Sequence, residues 1–332
     1  MKARGWRKGR CIGFSALGWG AVTAFLLFSA CASTSNAEPS GNVGDSALVV
    51  DVGIYVLSFG NHDTNKGTFT LDFYLWFIYN ESAAEPNFTV AGFEFMNGRA
   101  GSKEKIFDSI NSDTGMREVW YRIQASLYYK PTFRDYPFDR QEFSVLVEDT
   151  ARPLERLVYR PLADRSGWDP GAEIRGWRVD SVTYTSTVHS YPWGEKYSRF
   201  AMSVVISREP LSTGIKSILP PVIFCIVSGL SFFFTPDKIA NRIGFGTSML
   251  ISAVMFHVSQ TGSLPPLGSL ILIDKIMIAA YSFLFMSLFV TTLIYINDQY
   301  WKNRDYTKEF NRWGGVVSGV LPFIVYALLA LV

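Results

Sequence analysis

Groups that do covalent chemistry are scarce in this chain. Its 332 residues include three histidines (His62, His189 and His257) and three cysteines (Cys11, Cys31 and Cys225). No cysteine has a neighbour at zinc-ligand spacing, and no Ser/His/Asp or Cys/His set stands out. A metal centre, a resident cofactor and a membrane-bound enzyme are therefore not expected. Charge is also thin. Only 18% of residues are Asp, Glu, Lys or Arg, and the net charge is +2, so a nucleic-acid partner is not expected.

What the chain does have is aromatic and apolar residues, distributed very unevenly. At the start, Lys2, Arg4, Arg7, Lys8 and Arg10 precede an apolar run from Ile12 to Ala30. Ser35-Asn36-Ala37 fits the small-x-small cleavage rule, so residues 1–37 read as a secretory signal peptide. A cut before Cys31 and a retained anchor are the competing readings. After cleavage at Ala37 the mature chain keeps Cys225 alone and can form no internal disulfide.

From Ala47 to Arg208 short alternating strands follow one another with no long helical pattern. Thr68 to Tyr79 (TFTLDFYLWFIY) is dense in β-branched and aromatic residues. Asn65-Lys66-Gly67, Asn97-Gly98, Asp113-Thr114-Gly115 and Asp169-Pro170-Gly171 mark turns. About ten strands without crossover helices predict an antiparallel β-sandwich.

At Ile215 the character changes. Four apolar segments follow: 215–234, 239–259, 270–296 and 313–332, each near membrane-spanning length. Short links join them, the third over 297–312. That link holds Lys302, Arg304, Lys308 and Arg312, Lys238 and Arg242 flank the first, and the second has no basic residue. The first and third links are therefore cytoplasmic. The sandwich is then outside, in agreement with the export signal. The expected layout is a signal peptide (1–37), an extracellular or periplasmic sandwich (38–210) and a four-helix transmembrane domain (211–332) in the plasma (inner) membrane.

The second apolar segment is not uniformly apolar. At 100° per residue, Asn241, Gly244, Ser248, Ile251, Ser252, Met255, Val258, Ser259 and Gly262 share one side. Small and hydroxylated residues on a membrane helix either pack against another helix or face a water column. Both readings stay open on this stretch alone. His257 lies in it as well. A hydrogen-bonded helix contact is its simplest role, with pH sensitivity as a second. His62 reads as a turn residue and His189 as a loop residue.

Tyr136-Pro137-Phe138-Asp139-Arg140-Gln141 resembles the centre of the signature loop of Cys-loop receptors, the pentameric ligand-gated ion channels. Leu264-Pro265-Pro266-Leu267 and the run Leu272 to Tyr281 (LIDKIMIAAY) resemble the second link and third helix of a bacterial member. Arg208 stands where the family has its pre-helix arginine. Animal members close the signature loop with two cysteines. Tyr129 and Phe143 occupy those positions here, so the disulfide is absent, as in the prokaryotic branch, and an aromatic pair can pack there instead.

The resemblance implies a homopentamer whose second helices surround a pore for small inorganic ions. Matching the Arg242 end places Asn241, Gly244, Ser248, Ile251, Met255, Val258 and Gly262 towards the axis, with Ile251, Met255 and Val258 as a gate that dewets. Cation channels of the family carry an acidic ring just before the Arg242 position. Asn241 stands there, with Asp237 as the nearest acid, so the sign of the ion is open. A small-molecule or ionic ligand is expected between sandwiches, with Tyr191, Trp193 and Tyr197 facing Tyr74, Trp76 and Trp120. The family's early Trp-x-Pro is missing, since Gly92-Phe93-Glu94-Phe95 occupies that region. Coupling to the membrane is expected through His62, Asp63, Pro137, Phe138, Asp139, Arg208, Pro265 and Pro266, with Asp139 pairing with Arg208. The alternative is a membrane-anchored oligomeric binding or sensor protein that does not conduct.

Overall fold

The computed structural model describes residues 47–235, 238–301 and 304–330. The amino-terminal segment with Cys11, Cys31 and both proposed cuts lies outside the described residues, as do Asp237 and Lys302. Ten strands come first: β1 (Leu48–Asp63), β2 (Thr68–Asn80), β3 (Phe93–Phe95), β4 (Gly98–Ile110), β5 (Met116–Tyr128), β6 (Arg140–Asp149), β7 (Leu157–Pro161), β8 (Gly167–Trp168), β9 (Trp177–Ser190) and β10 (Lys196–Arg208). Four helices follow: α1 (Pro210–Leu230), α2 (Ile239–Thr261), α3 (Leu272–Ile296) and α4 (Arg304–Ala330).

The strands form two sheets, ordered β4-β5-β2-β1-β7, with β8 also on β1, and β3-β6-β10-β9. Side chains alternate across each strand with a period of two. In β2 the inward set is Phe69, Leu71, Phe73, Leu75 and Phe77; in β1 it is Val50, Val52, Ile54 and Val56. Phe143, Val145 and Val147 from β6 and Phe200, Met202, Val204 and Ile206 from β10 meet them from the other sheet. The two inner faces close one apolar core. The expected sandwich is present. Its pairing is antiparallel except at β7 and β8, which run parallel to β1. Both reach β1 by long connections, which parallel pairs require.

One outward residue of β2 breaks the alternation. Trp76 is only 2% exposed. It faces Gly53 of β1 in register and stacks on Trp120 of β5, with ring centroids 4.5 Å apart. The space above Gly53 holds the indole, and a Cβ there would overlap it.

Among the described residues, four helices are long and apolar enough to cross a membrane: Pro210–Phe233, Ile239–Thr261, Leu272–Tyr300 and Tyr306–Ala330. α3 is the central one, with Ile273, Met277, Leu284 and Ile294 sealed. Large side chains of α1 and α4, such as Leu211 and Phe323, point outwards, as lipid-facing helices require. Two boundaries differ from expectation. α1 starts at Pro210, because Pro suits the first helical position. α4 starts at Arg304, so much of the third link is helix. Its first turns are polar, yet Thr307, Phe310 and Asn311 are partly buried on one side. Within 304–312 the polar face hides the helical period.

Gly53→Ala should lower the stability of the purified protein by about 1–3 kcal/mol through overpacking against Trp76, seen as an earlier thermal unfolding midpoint. An unchanged midpoint would mean that the Trp76–Trp120 stack yields at no cost.

Candidate functional site

The loop between β5 and β6 carries the Tyr136–Gln141 motif and touches three helices. Asp139 is 1% exposed. Its Oδ1 accepts from Arg208 Nε at 2.6 Å, and its Oδ2 accepts from Gln141 Nε2 at 2.6 Å. Gln141 also closes the loop on itself, donating to Thr132 O and accepting from Thr132 N–H. The Arg208 guanidinium lies over the rings of Trp177 (4.4 Å) and Tyr136 (5.2 Å), a geometry that favours a cation. The ion pair expected between Asp139 and Arg208 is thus present, two residues before α1 begins.

The loop reaches the other helices through Tyr136. Leu272 N–H donates to Arg134 O (3.0 Å) and Ile273 N–H to Tyr136 O (3.1 Å). The first turn of any helix has N–H groups without intrahelical partners, and here the loop supplies two acceptors for α3. Tyr136 Oη donates to Gln260 O on α2 at 3.3 Å. Phe133 and Tyr136 pack with Ala253, Ile271, Ile273 and Met277, with Leu264 of the second link beside them. Phe138 rests against Gly214 of α1. The Tyr136–Pro137 peptide is cis.

The remaining coupling candidates divide. His62 lies on β1, paired with Phe69, and not in a turn. The strand runs on to Asp63 because His62 turns its ring inwards onto aromatic neighbours. Its Nε2 meets Tyr129 Oη at 2.6 Å, and its ring stands edge-on to Phe143 and Trp177. Tyr129 and Phe143 pack edge to face, 4.6 Å between centroids. Asp63 instead caps the β1–β2 turn, accepting from the N–H groups of Asn65 and Lys66. Pro265 lines a cleft beside the start of α3, and Pro266 is exposed. Sequence reasoning missed Tyr136, Gln260 and Leu264 as contacts, since their partners lie far along the chain.

On α2 the sequence-predicted stripe is uncovered along its length. Asn241, Gly244, Ser248, Ile251, Met255, Val258 and Gly262 are all exposed, and Ile251 and Met255 reach 65%. The opposite face packs on the bundle, with Arg242, Gly246 and Ala253 buried. Arg242 turns away from the stripe. Its Nη2 donates to Phe234 O (2.6 Å) and Asn311 Oδ1 (2.7 Å), tying the end of α1 to α4.

The two aromatic groups form on different sheets. In the β9–β10 hairpin, Tyr191 and Trp193 stack at 4.4 Å, and Tyr197 stands edge-on to Tyr191. Glu195 accepts from Trp193 Nε1 and Tyr197 Oη. Behind them Tyr191 Oη donates to Glu148, which also pairs with Arg199. Glu148, Glu195 and Arg199 were not singled out from the sequence. On the other sheet Tyr74 and Trp120 form a T-shaped pair. Trp76 lies buried beneath Trp120 and supports that surface without forming it. No described contact joins the two groups within one chain. Among the described residues no cluster of three or more His, Cys, Asp or Glu side chains could hold a metal.

No family model matches the chain. Individual relatives do. It is 31% identical over 158 residues to human 5-hydroxytryptamine receptor 3B, covering 46% of this chain and 35% of the receptor. It is 23% identical over 203 residues to pH-sensitive chloride channel 2 of Drosophila melanogaster, covering 55% and 36%. It is 23% identical over 160 residues to the human neuronal acetylcholine receptor subunit alpha-10, covering 48% and 35%. The chain is similar to subunits of receptor channels. By name these relatives are receptors and a channel, not enzymes. The chain spans about a third of the length of the curated relatives it matches.

Against these receptor-channel relatives, the junction yields two predictions. Asp139→Asn and Arg208→Gln should each destabilise by about 2–4 kcal/mol. That is below the range for a sealed pair, because Arg208 keeps 25% of its side chain exposed. The double variant should lose clearly less than the sum in thermal unfolding, and strictly additive losses would mean that the pair contributes nothing. Burial first, and then the Arg208 guanidinium, lower the His62 pKa, while Asp63 and Asp139 pull it back up. The unfolded chain therefore takes up the proton more readily. His62 contributes stability above its ordinary value of about 6.5, and that contribution is lost as pH falls through the lowered folded value. His62→Gln should flatten the fall in unfolding midpoint between pH 7 and pH 5.

Proposed function

We propose that this chain is one subunit of a homopentameric ligand-gated ion channel of the plasma (inner) membrane, passing small inorganic ions. The observation that carries the reading is the α2 stripe. Gly244, Ser248, Ile251, Met255, Val258 and Gly262, spaced 4-3-4-3-4, are all exposed, on the side of α2 away from the buried Arg242, Gly246 and Ala253. Five such stripes facing one axis would bury it around a water column. The similarity to receptors and chloride channels supports the same reading. The domain division at 38–210 and 211–332, the cleaved leader 1–37 and the external (periplasmic) sandwich belong to it. The loop closed by Tyr129 and Phe143 fits the prokaryotic branch.

Within this reading Ser248 replaces part of an ion's hydration shell. Ile251, Met255 and Val258 form the dewetting gate. A small-molecule or ionic ligand sits where Tyr191, Trp193 and Tyr197 of one subunit face Tyr74 and Trp120 of the next, with Trp76 as backing. The rings offer cation–π attraction, and Glu195 adds a carboxylate at the same surface. Binding biases the pore through the Pro137-Phe138-Asp139 loop, Arg208, His62 and the Pro265-Pro266 link, provided that the ligand binds the open and closed states unequally. Asp63 acts here by holding the β1–β2 turn.

Purified protein should run as a pentamer by native mass measurement and give single-channel currents in planar bilayers. Ile251→Ala should raise the open fraction about tenfold, equivalent to about 1.4 kcal/mol. Reversal potentials in NaCl gradients then give the sign of the ion at a mouth ringed by Asn241. A non-pentameric mass, or silence of both wild type and Ile251→Ala across ligands, pH and voltage, would favour an oligomeric binding protein that does not conduct.

A further inference from the structure

An ionisable cluster lies between α2 and α3, away from the exposed stripe. His257 Nε2 meets Asp274 Oδ1 at 2.9 Å, and His257 Nδ1 meets Tyr281 Oη at 3.1 Å. Tyr281 Oη is also within 3.4 Å of Ala253 O. Asp274 Oδ2 accepts from Ile271 N–H at 3.0 Å, so its carboxylate holds the start of α3 as well. An ionisable pair within two helices long and apolar enough to cross a membrane carries a cost that ordinary helix packing does not require.

The hydrogen inventory fixes what each protonation state can do. Ala253 O can only accept, so Tyr281 must donate to satisfy that contact. Tyr281 then has no proton left for Nδ1, and Nδ1 must carry its own. Asp274 Oδ1 asks for a second proton, on Nε2. With Asp274 ionised, all three contacts are met together only by imidazolium, which is a donor at both nitrogens. With neutral imidazole protonated on Nε2, the Tyr281 hydroxyl turns to Nδ1 and the Ala253 contact is lost. The neutral Nδ1–H form leaves Nε2 facing the Asp274 carboxylate with no proton between them.

The cluster also has a path to water. Asp274 lines a cleft of about 370 Å³ together with Thr261, Pro265, Ser269 and Ile271 at the α2–α3 link. Asp274 and His257 each keep 21% of their side chains exposed. The titratable groups packed around His257 are Asp274 and Tyr281 from α3 and, one turn further out, Tyr136 of the signature loop, bonded to Gln260 O. Lys275 follows Asp274 on α3. α1 brings a ring, Phe224 against Phe256.

We propose that His257, Asp274 and Tyr281 form a proton-binding site, reached through the Pro265 cleft, whose occupancy tightens the α2–α3 contact. One proton from water adds to Nδ1. The Tyr281 hydroxyl then swings to Ala253 O, and the Nε2–Asp274 contact becomes a full ion pair. Acid therefore clasps α2 to α3, and alkali loosens it.

The test reads the imidazole directly and uses no current, so an electrically silent protein leaves it decisive. The full chain, labelled with ¹⁵N-histidine, is placed in phospholipid nanodiscs and titrated from pH 8 to pH 5, the window in which imidazoles as a class change charge. His257 is assigned by elimination with the single variants His62→Gln and His189→Gln. Both His257 nitrogens should move to imidazolium positions within that window. Asp274→Asn should shift the Nε2 resonance, because a neutral amide then replaces the carboxylate that Nε2 faces. Because Asp274 also caps α3, Tyr281→Phe serves as the milder variant: it should shift the Nδ1 resonance and leave Nε2 near its wild-type position. In hydrogen exchange, corrected for intrinsic rates, acid should slow the amides of 253–261 in wild type and not in His257→Gln. A His257 that keeps one charge state from pH 8 to pH 5 would overturn the proposal, as would a Tyr281→Phe titration indistinguishable from wild type at both nitrogens.

Discussion

The sandwich and the helices are joined at a carboxylate that cannot stand alone. Asp139 is sealed from water, and a buried carboxylate without partners would cost several kcal/mol. Its two oxygens are met by Arg208 and Gln141. This requirement sets three things at once. It closes the β5–β6 loop through Gln141 and Thr132. It brings the end of β10 to that loop. It also fixes the point from which α1 starts, since only Glu209 separates Arg208 from Pro210. The arginine's flat face is covered by Trp177 and Tyr136, so its charge is held in a partly apolar place without a second carboxylate.

From that fixed loop the membrane half is positioned by backbone chemistry. The free N–H groups at the start of α3 need acceptors, and the carbonyls of Arg134 and Tyr136 provide them. The Tyr136 hydroxyl reaches the end of α2 from the same residue. One tyrosine therefore touches both helices with its two oxygens, carbonyl and phenol. A displacement of the loop cannot move α3 and leave the carboxy-terminal end of α2 unaffected. The exposed stripe on α2 lies on the other side of that helix, so a movement of the junction could reach it only through the helix body.

Much of this was legible in the sequence, for local reasons. Period-two alternation in β1 and β2, apolar runs of spanning length and the polar stripe of α2 are properties of single segments. The Asp139–Arg208 pair followed from the family likeness. What escaped was non-local. Trp76 reads as a surface aromatic until Gly53 on the neighbouring strand is seen to leave room for it. His62 sits next to a turn signal, and only the rings of Tyr129, Phe143 and Trp177 explain why the strand continues through it. The partners of His257 lie 17 and 24 residues away on another helix, a register that spacing in α2 alone does not reveal. The start of α4 was hidden because its first turns are polar and read as a link.

The closure of the β5–β6 loop by Tyr129 against Phe143 has a consequence for the surroundings in which the fold can exist. A covalent bridge needs an oxidant when the protein is made, and a reductant can undo it. Two rings in edge-to-face contact, with His62 wedged beside them, form by burial alone. Among the described residues the single thiol, Cys225, sits on α1 without a disulfide. The joint between sandwich and helices is therefore indifferent to thiol redox poise: it assembles without oxidative folding enzymes and survives in a reducing medium.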